Sequence, residues 1–340
     1  MEDKLKQLID FSGQILITSH ISPDPDAVSS LLLMAETLRA NYPDKKIHAV
    51  LEEEPVNLDF IYGYKNIDFK PILKALETIK PDLFILLDGN NFERCSRHDG
   101  ARVRDFISEN KVKTAIIDHH EPDGQDEVDA YINRNSPACV QDVYEVCFDH
   151  LKLKQPPDSA QTTMAGLYAD SGGFAYMKDG SHKRLFDLAE RLVEDGASVE
   201  LIINRLNRFS SDNMVALKEL FANIQDGGNY TYSYLDDKFI SDWLDSSLTY
   251  AELQLSTGAF LNDFIRNIDG RQWGFIVYAN KMQGQGIYSV SLRSVNGVKD
   301  VSEIAMSLDG GGHKGAAGAK IAATSLEDAI NKVKSAIASS

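Results

Sequence analysis

The chain has 340 residues, beyond the size at which a single core keeps growing, so two domains are expected. Its 43% apolar and 25% charged residues match an ordinary globular protein and exclude a largely disordered one. A net charge of −16 excludes a broad basic groove for long DNA or RNA, because neutralisation of phosphates by Lys and Arg dominates such binding.

The N-terminal MEDKLKQLIDFSG mixes acids with lysines and lacks the apolar core and cleavage site of a secretory signal. QILITS (Gln14 to Ser19) reads as a strand and leads to a helix from about Asp26 to Ala40. KIHAVL and DLFILLD read as strands, followed by a helix near Ala101 to Glu109 and the strand TAIID. Strands alternating with helices at this spacing predict an α/β domain with a mainly parallel, five-stranded sheet flanked by helices. Helical periodicity then runs from about Val140 to Asn207, and its stretch from His182 to Arg208 reads as a connection between halves. Next come a helix near Asp212 to Asn223, the strand-like YTYSYL, WGFIVYA and IYSVSLRS, the segment GGGHKGAAGA, and a closing helix from about Ser325. These predict a smaller α/β domain with a mixed sheet. The expected division is a catalytic domain over 1–190, a helical linker over 191–211 and a second domain over 212–340.

The longest apolar runs, LLLM from Leu31 and LFILL from Leu83, are too short to span a bilayer, so the expectation is a cytoplasmic protein without a membrane anchor. Cys95, Cys139 and Cys147 form no CxxC pair and read as reduced core residues. The acidic runs LEEEP and EVDAYIN read as solvated surface.

Four short stretches are dense in metal-ligand residues. HISPDPDA offers His20, Asp24 and Asp26 on a loop stiffened by two prolines, just past a strand. Asp24 and Asp26 read as donors to two different ions. Asp88 ends an apolar strand, where its carboxylate can bridge both ions. IIDHHE repeats that design with Asp118, His119 and His120, and YADSGGF contributes Asp170. Three of these motifs follow predicted strands, where open α/β sheets bind ligands. Hard oxygen with borderline nitrogen donors suits Mn²⁺ or a similar divalent ion. Two such ions sharing a carboxylate generate a hydroxide and clamp an oxyanion for in-line displacement at phosphorus. In GGGHKGAAGA, Gly310, Gly311 and Gly312 allow close backbone approach to an anion beside His313, and Arg293 of SLRS can pair bidentately with phosphate oxygens.

HISPDPDA, Asp88, the DHH at Asp118 to His120, and ADSGGF at Asp170 resemble the four motifs of the DHH phosphoesterase superfamily. GGGHKGAAGA is similar to the signature of its DHHA1 domain. The resemblance spans about His20 to Gly318 and implies an N-terminal DHH domain followed by a DHHA1 domain. It implies one ion held by His20, Asp24 and Asp88, and a second held by Asp26, Asp88, His119 and Asp170. Asp118 would then orient the site, His120 would contact the scissile phosphate, and Arg293, Gly311, Gly312 and His313 would bind substrate. Ser29 departs from the glycine usual after the aspartates.

The branch that this layout resembles is oligoribonuclease-like. It implies a manganese-dependent phosphodiesterase hydrolysing linear dinucleotides (pGpG, pApA) and very short RNA to nucleoside 5′-monophosphates, with self-association as a homodimer. The alternatives are an adenosine 3′,5′-bisphosphate phosphatase or a cyclic di-AMP phosphodiesterase. An inorganic pyrophosphatase or a non-catalytic nucleotide-binding module fits less well. Tyr168, Phe174 and Tyr176 can stack on a base, but core packing is the better reading of these three.

Overall fold

The computed structural model describes residues 1–120, 126–174, 180–246, 248–295 and 297–340. The chain divides into two compact units, Met1–Arg208 and Phe209–Ser340.

The first unit begins with α1 (Glu2–Phe11), β1 (Gln14–Thr18), α2 (Pro25–Asn41), β2 (Lys46–Leu51) and β3 (Ile67–Phe69). It continues through α3 (Ile72–Ile79), β4 (Leu83–Leu87), α4 (Gly100–Glu109), β5 (Lys113–Ile117) and β6 (Ala130–Ile132), and ends with α5 (Cys139–Tyr144), α6 (Ser159–Asp170), α7 (His182–Glu194) and α8 (Val199–Leu206). The sheet has six strands, not five, in the order β3-β2-β1-β4-β5-β6, and every pairing is parallel. Its central strands are apolar on both faces because both are covered. Ile15 and Ile17 pack with Val28, Leu31 and Leu32 of α2, whereas Leu16, Phe84 and Ile116 pack with Leu76 of α3 and Val103 of α4.

Helix α2 is apolar almost all round because it is wedged between the sheet and α6. Pro25 opens it at a position where the missing N–H costs nothing, and Asp24 caps it by accepting from the Ala27 amide at 2.9 Å. At the α2–α6 crossing, Ser29 lies against Gly166, so the glycine on α6 makes room for the side chain that departs from the family pattern. The stretch 182–208 is not one helix. Gly196, with φ 95°, ends α7 in the left-handed region, and α8 follows. Leu185, Leu188, Leu192 and Ile202 of these helices are buried in the first unit's core.

The second unit comprises α9 (Ser211–Ala222), β7 (Gln225–Asp226), β8 (Thr231–Leu235), α10 (Asp237–Asp245), α11 (Tyr250–Ala259), β9 (Trp273–Ala279), β10 (Ile287–Ser294), α12 (Val301–Met306), β11 (Gly311–His313), β12 (Ala316–Ala322) and α13 (Leu326–Ser339). Its sheet runs β11-β12-β10-β9-β8-β7 and is mixed, with β8 and β9 parallel and the other pairs antiparallel. Along β10, Tyr288, Val290, Leu292 and Ser294 face the core and alternate with half-exposed Ser289, Ser291 and Arg293. Among the described residues no helix is long and apolar enough to cross a membrane.

Candidate metal centre

In the six-stranded sheet the strand order reverses between β1 and β4, where a crevice opens at the carboxyl ends of the strands. His20 follows β1, Asp88 follows β4, and Asp118, His119 and His120 follow β5. The Ser19 hydroxyl donates to the Leu87 carbonyl at 2.7 Å, and the Asp88 amide donates to Ile117 at 3.0 Å, so the three strand ends are tied together. Asp88 adopts φ 55°, a left-handed conformation that Asp tolerates better than most residues and that turns its carboxylate into the crevice.

Seven of the expected residues meet there. His20, Asp24 and Asp88 form one group of donors, Asp26, His119 and Asp170 a second, and Asp88, His119 and His120 a third, each with ligand atoms within 4.8 Å of one another. Asp88 therefore stands between the groups. One of its oxygens is 3.4 Å from His20 Nε2, and the other is 3.3 Å from His119 Nε2 and 3.6 Å from His120 Nδ1. His119 Nε2 also lies 3.5 Å from Asp170. Asp118 stands outside these groups and touches the centre by accepting a hydrogen bond from His120 Nδ1 at 2.8 Å.

Asp24 and Asp26 owe their separate placement to the helix start. In an extended chain residues two apart share a face. Here Asp24 is the cap, while Asp26 is the second residue of α2, within its first turn, and accepts from the Cys139 and Val140 amides at 2.6 and 3.0 Å.

The residues fit a divalent cation. Asp26 and Asp88 are 1% and 2% exposed, and burial of two carboxylates this close needs positive charge to offset it. Burial together with the charges of Asp88 and Asp170 pushes Asp26 well above the ordinary carboxylate range. Burial also opposes the charge on Asp88, but His119 and His20 outweigh it and hold that carboxyl well below the range. Burial works against protonation of the imidazoles too, yet contact with Asp88 raises His20 to about 9 and His119 to about 10. Among the described residues, no hydrogen bond reaches the buried Asp88 Oδ1. Its separation from His119 is close to the roughly 3 Å expected for neighbouring ligands about 2.1 Å from one octahedral ion. His20 Nδ1 lies 2.7 Å from the Ile21 carbonyl and His119 Nδ1 lies 3.2 Å from the Ser136 carbonyl. Both contacts favour the tautomer that leaves Nε2 free to ligate.

The other expected residues lie in the second unit. Arg293 and His313 both register with Ala316, so they occupy one cross-strand row on one face of the sheet, with only a methyl group between them. The glycine-rich stretch is a hairpin edge and not a flexible loop. A Cβ at Gly310 would meet the Gly318 carbonyl at 2.2 Å, and one at Gly312, where φ is 136°, would meet the Ala316 carbonyl at 2.6 Å. A Cβ at Gly311 would meet nothing within 4 Å, so that position stays open to an incoming group.

Two supporting devices escaped the sequence reading. Glu52 and Glu53 of LEEEP are not solvated surface. Glu53 accepts from the Ser22 amide at 3.0 Å and from Arg97 Nε at 2.6 Å, and Glu52 accepts from the Arg97 amide at 2.8 Å, which braces the His20 loop. In EVDAYIN, Asp129 accepts from the Thr114 amide at 3.0 Å. The segment from Asn133 to Asp142 grips His119, His120 and Asp26, and its only sequence signal is the polar NRNSP run after β6. Tyr168 and Phe174 meet edge to face at 5.6 Å and pack against the first core; Tyr176 lies outside the described residues.

A parallel sheet with carboxylates and imidazoles converging at its switch point defines a divalent-metal-dependent phosphoesterase. Residues 14–169 match the model of the DHH family, N-terminal domain, and residues 245–339 match the DHHA1 domain. The chain belongs to the DHH/DHHA1 phosphoesterase superfamily and is a hydrolase of phosphoester bonds. It is similar to the bifunctional oligoribonuclease and PAP phosphatase NrnA of Mycoplasma pneumoniae, at 26% identity over 90% of this chain and 87% of that one. The protein of the same name from Bacillus subtilis is 27% identical over 94% of this chain and 93% of its own length. Among solved structures, an exopolyphosphatase-related protein from Bacteroides fragilis has the same fold, with a TM-score of 0.81, 19% identity and coverage of 99% of this chain and 95% of that one.

Proposed function

We propose that the protein is a manganese-dependent phosphodiesterase that hydrolyses linear dinucleotides such as pGpG and pApA, and very short oligoribonucleotides, to nucleoside 5′-monophosphates. The observation that carries this reading is Asp88, whose two oxygens face two different donor groups. One ion is assigned to His20, Asp24 and Asp88, and a second to Asp26, Asp88, His119 and Asp170. When bound, the ions supply a nucleophile at neutral pH and neutralise charge on the phosphoryl oxygens.

The chain's own residues do the rest. Asp118 orients His120, which contacts the scissile phosphate. Arg293, Gly311, Gly312 and His313 receive the substrate phosphate, Arg293 through paired donors. Water adds to phosphorus, the bond to the 3′ oxygen breaks, and the leaving oxygen takes a proton, giving two mononucleotides from each 5′-phosphorylated dinucleotide. Two relatives named both as oligoribonuclease and as PAP phosphatase support the substrate class and favour a second activity, removal of the 3′-phosphate from adenosine 3′,5′-bisphosphate.

The test is product analysis after incubation with Mn²⁺ and a pool of di-, tri- and pentanucleotides, a 20-mer, cyclic di-AMP, adenosine bisphosphate and pyrophosphate. Mononucleotides are expected first from the dinucleotides. Equal rates on a dinucleotide and the 20-mer would contradict the reading, as would preference for pyrophosphate.

A further inference from the structure

One segment, from Asn133 to Asp142, reaches three residues of the metal centre. Asn133 Nδ2 donates to the His120 carbonyl at 2.7 Å, the Ser136 carbonyl faces His119 Nδ1 at 3.2 Å, and the Cys139 and Val140 amides hold Asp26. Its residues 133–138 belong to no helix or strand, and Asn135 sits at φ 54°. Such a stretch holds a ligand in place only if something outside it fixes its course.

Asp142 does so. It is fully buried and accepts from the Arg134 amide at 3.2 Å and, through a short contact, from the Ser136 hydroxyl. Its charge is met by Arg184 of α7, whose Nη2 donates to it at 2.9 Å. Arg184 also donates through Nε to Glu145 at 2.7 Å and through Nη1 to the Arg134 carbonyl at 3.3 Å. The guanidinium thus spans both ends of the segment. A buried carboxylate stripped of its guanidinium is strongly unfavourable, so Asp142 would leave its position or take up a proton, and Ser136 would move with it.

We propose that Asp142 and Arg184 are positioning residues that hold the Ser136 carbonyl and the Cys139 and Val140 amides where they aim His119 Nε2 and Asp26 at the second ion. The inference rests on the two-ion reading above. The first ion's ligands do not depend on this device, since His20 uses its own Ile21 carbonyl, Asp24 is fixed by the α2 cap, and the Glu53–Arg97 pair braces their loop. Loss of Arg184 therefore weakens one site and spares the other.

The test is Mn²⁺ binding to the full chain followed by electron paramagnetic resonance, with activity measured against Mn²⁺ concentration. Arg184→Gln is expected to weaken one of two sites about 10- to 100-fold, the usual effect of losing a partner behind a ligand. The Mn²⁺ needed for half activity rises by the same factor, while KM for a dinucleotide at saturating metal stays unchanged. Arg191→Gln, on the same helix as Arg184, breaks an exposed pair with Asp149 of the preceding segment and leaves both sites intact. Unchanged affinities in Arg184→Gln, or equal loss at both sites, would overturn the inference. Should Arg184→Gln not fold, Arg184→Lys carries the test: weakening confined to one ion supports the proposal, and full affinity at both overturns it. Wild-type protein that binds fewer than two ions would instead sink the two-ion reading itself.

Discussion

Asp118 accepts a hydrogen bond from His120 Nδ1 at 2.8 Å and is itself completely buried, so the carboxylate fixes both the tautomer and the angle of the imidazole. Asp118→Asn keeps the shape and loses the charge. Turnover is expected to fall about 10- to 100-fold, as for other groups that orient a functional side chain. Mn²⁺ affinity should hold, because Asp118 belongs to none of the donor groups. Steady-state kinetics beside a metal titration checks both halves, and a large loss of metal with unchanged kcat would contradict the assignment.

Asp88→Ala removes the carboxylate that faces His20, His119 and His120. Dinucleotide hydrolysis is expected to drop by at least about 1000-fold, the upper end for loss of one transition-state contact. The stabilisation that excess Mn²⁺ gives the wild type, about 2.7 kcal/mol at one hundred times Kd, should vanish with it. Thermal melts with and without Mn²⁺ report the second effect independently of catalysis. Wild-type turnover in this variant would end the claim of a shared ligand.

Metal binding must displace protons. Burial opposes protonation, but contact with Asp88 outweighs it and raises His20 to about 9 and His119 to about 10 in the metal-free protein, above the ordinary histidine value near 6.5. Raised values mean that this contribution to metal-free stability is fully present below about pH 6.5 and is lost as pH climbs through 9 to 10. A ligating imidazole has to be neutral, so Mn²⁺ affinity rises with pH until the pH passes the raised values of about 9 and about 10. Calorimetry at pH 7.5 in buffers of different ionisation enthalpy should register at least about two protons released, from His20 and His119, with Asp26 adding to the count. No release would show that the imidazoles are already neutral.

Gly166→Ala tests the crossing of α2 and α6. Alanine favours a helix interior by about 0.5–1 kcal/mol over glycine. Its Cβ, however, would lie 2.9 Å from an Asp26 oxygen and 3.0 Å from Ser29 Cβ, and overpacking of this kind costs about 1–3 kcal/mol. A net fall in Tm is expected together with weaker metal binding, since Asp26 is the atom displaced. A rise in Tm would mean that the two helices separate without harm.

Gly311→Ala makes a contrast in the second unit. Nothing within 4 Å opposes the new methyl, so the fold and Mn²⁺ affinity should be unaffected. KM for dinucleotides is expected to rise, because the methyl occupies space assigned to the substrate phosphate. Unchanged KM would remove Gly311 from the binding surface.

His20, Asp88 and His119 were readable because they follow apolar runs that read as buried parallel strands, and a residue just past such a strand has few places to go, whereas Asp170 ends the helix α6. The edge strands β3 and β6 were not. IDF and AYI are three residues long, too short for periodicity to register, and form only because a neighbouring strand offers its ladder. Composition misled at LEEEP, where Glu52 and Glu53 are drawn inward by Arg97, some 45 residues away. The relation between Arg184 and Asp142 is tertiary throughout, and no local pattern in either helix announces it. Gly196 did mark the break between α7 and α8, but a glycine inside apolar periodicity reads equally well as a tolerated interruption.

The two halves of the centre also differ in when the emerging polypeptide can supply them. His20, Asp24 and Asp88 are all present soon after β4 has been synthesised, and β1, β2 and β4 pair with one another, while Arg97 and Ile117, which brace the His20 loop and the Asp88 amide, follow within about 30 residues. Asp170 and Arg184 arrive some 80 to 100 residues afterwards, several seconds at ordinary rates of translation. On the two-ion reading proposed above, the donors of one site are therefore synthesised well before those of the other, and hydrolytic competence has to await Arg293 and His313 of the second unit as well.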